Sequence, residues 1–126
     1  MEEIKLWYAT IHYDAPIVYI DLKEGTELGF PEINELTRHA EKLADQKPYF
    51  VLTHLHKNVN LTNEGKRVAA EAKTAPLHKG TALLVDSTMY MIAANFFNNF
   101  RKPEFPFKVF TEKQKAIDWL QSLSLN

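Results

Sequence analysis

Two short apolar runs, Tyr49-Phe50-Val51-Leu52-Thr53 and Thr81-Ala82-Leu83-Leu84-Val85, constrain the fold of this chain more than any other feature. A strand with water on one face alternates apolar and polar side chains, so a run without alternation needs cover on both faces. That cover comes from helices packed on either side of a mostly parallel sheet, and the rest of the chain has to supply them.

Helical spacing supplies them. Pro31, whose fixed φ suits a first helical turn, opens a segment with Ile33, Leu36, Ala40 and Leu43 on one stripe and Glu32, Glu35, Arg38, Glu41 and Lys42 free to face water, with Pro48 marking the exit. Thr62 is placed to N-cap a second helix over 63–74, with Val68, Ala69, Ala72 and Ala75 inward and Pro76 as its stop. Asp86, Ser87 and Thr88 then precede a long segment over 88–100, in which Met89, Ile92, Ala93, Phe96 and Phe100 form a core stripe. Thr111-Glu112-Lys113-Gln114 matches a capping box and opens a last helix with Ile117, Leu120 and Leu123 inward.

The remaining strands flank these elements. Ile4 to His12 and Pro16 to Leu22, separated by a turn at Tyr13-Asp14-Ala15, predict an antiparallel hairpin, and Phe107 to Phe110 predicts a last short strand. The order ββαβαβαβα implies a mixed, mostly parallel sheet of about five strands flanked by about four helices. Residues 1–126 show no repeat or low-complexity linker and are expected to form one domain.

Composition narrows the function classes. The chain contains no cysteine, which excludes disulfides, thiolate metal sites and thiol nucleophiles. Its acidic start and the lack of an apolar run near the roughly 20 residues of a membrane span predict a cytoplasmic protein. Basic residues such as Lys57, Lys66, Arg67, Lys73 and Lys79 are interspersed with Glu64 and Glu71, which suits a mixed solvated surface and argues against nucleic-acid binding. No cofactor is expected, and no motif identifies a reaction.

Leu83-Leu84-Val85-Asp86-Ser87, then Asn95-Phe96-Phe97 with Lys102-Pro103, and Phe107-Lys108-Val109-Phe110-Thr111 with Ala116, Trp119 and Leu120, together resemble the C-terminal half of small bacterial STAS, or SpoIIAA-like, proteins. The resemblance implies a SpoIIAA-like α/β fold and a regulatory, non-enzymatic role. In the anti-sigma-factor antagonists of that family a serine at a helix N-terminus is phosphorylated. Here the region from Thr53 to Thr62 lacks the family's Asp-Ser-Ser-Gly pattern, and Thr62 is left as a phosphoacceptor in principle and a plain N-cap by its position.

Open α/β sheets bind ligands beyond the carboxyl ends of their parallel strands, which directs attention to Thr53, His54 and His56 and to Asp86, Ser87 and Thr88. His54 and His56 share a face if the strand continues that far. They could supply two metal ligands, with Asp86 or His78 as a third, although capping and solvation account for two histidines without any metal. A Ser87, His54, Asp86 hydrolytic triad lacks the Gly-x-Ser-x-Gly elbow that would expose the serine.

The helix over 88–100 offers a second place to look. Tyr90, Met91, Ala94 and Phe97 give it more apolar surface than one core stripe needs, rimmed by Asn95, Asn98 and Asn99. The leading expectation is a binding or regulatory module that meets a protein partner, or a second copy of itself as a homodimer, through that face. The alternative is a pocket for a small apolar or anionic ligand such as a lipid, because the SpoIIAA-like fold is shared with lipid-transfer domains.

Overall fold

A computed structural model describes residues 2–71, 75–91, 93–94 and 103–125. Its strands are β1 (Glu3–Lys5), β2 (Ala9–Asp14), β3 (Ile17–Leu22), β4 (Glu27–Leu28), β5 (Tyr49–His54), β6 (Asn60–Leu61), β7 (His78–Leu84) and β8 (Phe107–Phe110). Its helices are α1 (Phe30–Leu43), α2 (Asn63–Ala70) and α3 (Lys113–Gln121). Tyr90, Met91, Ala93 and Ala94 are also helical.

Six strands form one sheet in the order β1-β2-β3-β5-β7-β8. The first two pairings are antiparallel and the remaining three parallel. β5 is central, as its unbroken apolar run requires, and its residues alternate between two cores. Tyr49 and Val51 face Val18, Ile20, Leu22, Leu36 and Ala40 on the α1 side. Phe50 and Leu52 face Ile17, Ala82, Leu84, Ala116 and Leu120 on the α3 side. The expected mixed α/β sheet with helices on both faces is therefore what the chain builds.

Several local expectations are corrected. Ile4 to His12 is not one strand: the Leu6 N–H donates to the Ala9 carbonyl at 2.8 Å, folding β1 back on β2. The break turns Tyr8 inward, where its hydroxyl bonds the Glu35 carboxylate at 2.5 Å, and leaves Trp7 exposed. The expected turn at Tyr13-Asp14-Ala15 is tighter, because Tyr13 and Asp14 still pair in register with Val18 and Ile17.

The second helix ends at Ala70, short of the expected residue 74, with Glu71 already in extended backbone; residues 72–74 lie outside those described. The capping box at Thr111 does not form. Glu112 is the N-cap of α3, and Gln114 instead donates to Asp118 one turn along at 2.9 Å. One half of such a box occurs at α1, where the Gly29 N–H donates to Glu32 Oε1 at 2.7 Å; a glycine N-cap has no side chain to return the bond.

One element had no counterpart in the sequence reading. β4 and β6 form a two-residue parallel ladder, extended by bonds from Gly25 N to Lys57 O, Asn60 N to Thr26 O and Thr62 N to Leu28 O. The ladder seats the start of α2 so closely that a Cβ on Gly65 would lie 2.7 Å from the Leu28 carbonyl oxygen. Only glycine permits that approach.

Candidate functional site

Among the described residues, the α1 side of the sheet is not filled. A cavity of about 560 Å³ lies between the sheet and the α1 and α2 helices, within the range of small-molecule sites. Its sheet wall is Ile20 and Leu22 from β3, Val51 and Thr53 from β5, and Thr81 and Leu83 from β7, all on one face by strand alternation. Leu36 and Ala40 of α1, Val68 of α2, and Met89 and Ala93 close the opposite side.

Polar groups are few and placed at the margins. Lys57, Asn58, Asn60 and Thr88 are exposed residues that also line the cavity, so its mouth lies beyond the carboxyl ends of β5 and β7. That is where an open α/β sheet binds ligands. Deeper in, Glu71 is 4% exposed and its carboxylate accepts from Arg67 Nη1 at 3.1 Å.

His78 stands at the far end of the cavity, stacked on Tyr49 at 5.8 Å and tilted against Phe105 at 4.3 Å. Its Nε2 lies 3.1 Å from the Gly80 carbonyl and 2.5 Å from Thr81 Oγ1. A carbonyl can only accept and a hydroxyl can do either, so the Gly80 contact is a hydrogen bond in the tautomer that carries its proton on Nε2. Burial drives the imidazole down to about 4, opposed in part by the Gly80 bond.

This has a consequence for stability. Between pH 6.5 and 4 the unfolded chain takes up a proton that the folded His78 refuses, so stability falls as pH falls through that window and is complete above it. The loss approaches about 3 kcal/mol at most. His54, lowered first by burial and then by His56, adds in the same direction. The gap between urea midpoints at pH 7.5 and 4.5 should therefore narrow, with the His54 part remaining, when His78 is replaced by Phe, and an equal gap in the two chains would refute the assignment.

The residues expected at the strand ends separate into three groups. Thr53 and Thr88 line the cavity. Asp86 caps the turn that follows β7, accepting from Thr88 Oγ1 at 2.7 Å and the Met89 N–H at 3.0 Å, and the Thr88 bond foremost holds its carboxyl below the ordinary range. Ser87 is exposed beside it. Thr62 caps α2 by accepting from the Gly65 N–H at 3.0 Å.

His54 and His56 lie on the opposite, α3 face, and their acidic companion is Asp21 of β3, not Asp86 or His78. Asp21 and His54 are register partners at the carboxyl ends of adjacent parallel strands. His56 Nε2 lies 2.7 Å from Asp21 Oδ1 and His54 Nδ1 lies 3.8 Å from Asp21 Oδ2. The two imidazole rings are 4.2 Å apart. Asp21 carries no signal of a site in the sequence because it sits inside an apolar strand, and only the pairing of β3 with β5 brings it to the histidines.

Met89, just before the helical Tyr90, and the helical Ala93 pack inward as their spacing predicts, while Tyr90 and Met91 are 40% and 64% exposed. Ala94 is half-buried. Asn95, Phe97, Asn98 and Asn99 lie outside the described residues. No helix among the described residues is long and apolar enough to cross a membrane.

Comparison with known proteins bears on the fold and the family. The chain is similar in structure to an uncharacterised protein of the DUF3478 family with a SpoIIAA-like fold from Shewanella loihica PV-4, at a TM-score of 0.57 and 18% identity, over 89% of this chain and 91% of that one. This likeness establishes a SpoIIAA-like fold. The profile of a family described as a domain of unknown function, DUF7793, matches residues 11–124. No curated protein matches the chain.

Proposed function

The chain belongs to the DUF7793 family, and we propose that it is a non-enzymatic binding module whose cavity holds a small apolar molecule with an anionic head. The cavity itself carries this reading. A concavity of about 560 Å³ that opens at the strand ends is in the size range of small-molecule sites. Its walls from Leu22, Leu36, Val51 and Leu83 suit an acyl or ring system, and Lys57 at the mouth suits a carboxylate.

Titration with a fluorescent fatty-acid analogue tests it. Saturable binding of one probe per chain, displaced by dodecanoate, is the expected result; failure of the probe to bind at any concentration below its self-association limit would oppose the reading.

A second reading, association with a protein partner or a second copy, is favoured by the exposure of Tyr90 and Met91. Light scattering on the wild type and on a Tyr90→Glu, Met91→Glu chain addresses its self-association form, which a monomer in both cases would remove.

A further inference from the structure

We propose that Asp21, His54 and His56 form a binding site for one divalent transition-metal ion, zinc being the best match. The site lies on the α3 face of the sheet and is independent of the cavity reading. It stands on geometry: three side chains from β3, the end of β5 and the segment after it bring their ligand atoms within 4.8 Å of one another.

The spacing suits the ion. A tetrahedral shell with bonds of about 2.0–2.2 Å sets its ligand atoms about 3.4 Å apart. That lies between the 2.7 Å from His56 Nε2 to Asp21 Oδ1 and the 3.8 Å from His54 Nδ1 to Asp21 Oδ2. The two distances run to different oxygens of Asp21, and the 4.8 Å limit on the whole set is about 1.4 Å wider than that spacing, the amount rotamer adjustment has to close.

The chemistry also favours a metal over a hydrogen-bonded trio. One carboxylate can satisfy His56 at 2.7 Å, but His54 Nδ1 then stands 3.8 Å from Asp21 Oδ2, beyond hydrogen-bond reach, with a second imidazole 4.2 Å away. A metal ion takes one nitrogen from each neutral ring and an oxygen from Asp21, so all three become partners. The set of two imidazoles and one carboxylate suits zinc and excludes magnesium or calcium, which prefer oxygen ligands. With side chains about two-fifths to one-half exposed, the fourth position faces solvent and would carry an exchangeable water.

Calorimetric titration of the tag-free, chelator-treated chain with zinc chloride, alongside magnesium chloride, is the test. One zinc per chain with no response to magnesium is expected. Asp21→Asn, His54→Gln and His56→Gln should each weaken zinc by at least about tenfold, and His12→Gln and His39→Gln should leave it unchanged. On the unaltered chain, zinc should shift the NMR ring signals of His54 and His56 and spare those of His12, His39 and His78. No zinc binding, or binding that survives all three ligand substitutions or moves other histidines, overturns the assignment.

Discussion

Leu52→Ala is expected to lower unfolding free energy by about 4 kcal/mol, and Leu83→Ala by nearer about 2 kcal/mol, although the two leucines sit on adjacent strands at 2% and 5% exposure. The difference lies in what each touches. Leu52 is enclosed by Ile17, Phe50, Ala82, Leu84 and α3 residues Ala116 and Leu120, so truncation leaves a new void in a packed core. Leu83 meets Val85, Ala93 and Val109 on its flanks but also borders the cavity, so among the described residues it is enclosed on fewer sides. A side chain that borders an existing void forfeits fewer dispersion contacts when removed. Urea unfolding of the two variants at pH 7.5 reads the difference directly, and equal losses would mean that the α1 side is as densely packed as the α3 side.

Val51→Trp is expected to weaken the fatty-acid analogue by at least about tenfold, equivalent to 1.4 kcal/mol of binding, while leaving the chain folded. Val51 is on the central strand and projects into the middle of the cavity wall, so an indole there takes space the ligand would use. Inserting bulk into a packed core costs about 1–3 kcal/mol; here the space already exists, so the stability change should fall below that range. Met91→Glu, at an exposed position outside the cavity lining, should leave probe affinity unchanged. Binding that tolerates Val51→Trp but fails in Met91→Glu would transfer the ligand site to the outer face of the 90–94 segment.

Much of the architecture was legible because it rests on local physics. The unbroken runs at Tyr49 and Thr81 required cover on two faces, and the stripe at Leu36 and Ala40 supplied one side of it. What escaped was set by long-range geometry. The β4–β6 ladder has two residues per strand, too short for any periodicity, and exists because residues 25–28 and 57–62 meet in space. The break after Lys5 depends on a Tyr8 to Glu35 bond spanning 27 residues.

The same division applies to the sites. The rule about carboxyl ends of parallel strands located the cavity mouth at Thr53 and Thr88 and brought His54 and His56 into view. Strand alternation then sent Thr53 and His54 to opposite faces, so one cluster in the sequence became two sites in space. Asp21 could be recognised only after β3 was known to pair with β5, and the cavity is a volume between elements that no single residue announces.

An apolar ligand in the cavity between the sheet and the α1 and α2 helices would touch one face of the sheet and spare the other. Intermolecular nuclear Overhauser effects between dodecanoate and the methyl-labelled chain test it most directly. Contacts are expected from Ile20, Leu22, Leu36, Val51, Val68 and Leu83 and none from Leu52, Leu84 or Leu120 on the other side of the sheet. Contacts confined to the exposed Met91 surface, or a cavity occupied by the chain's own side chains in the bound state, would contradict it.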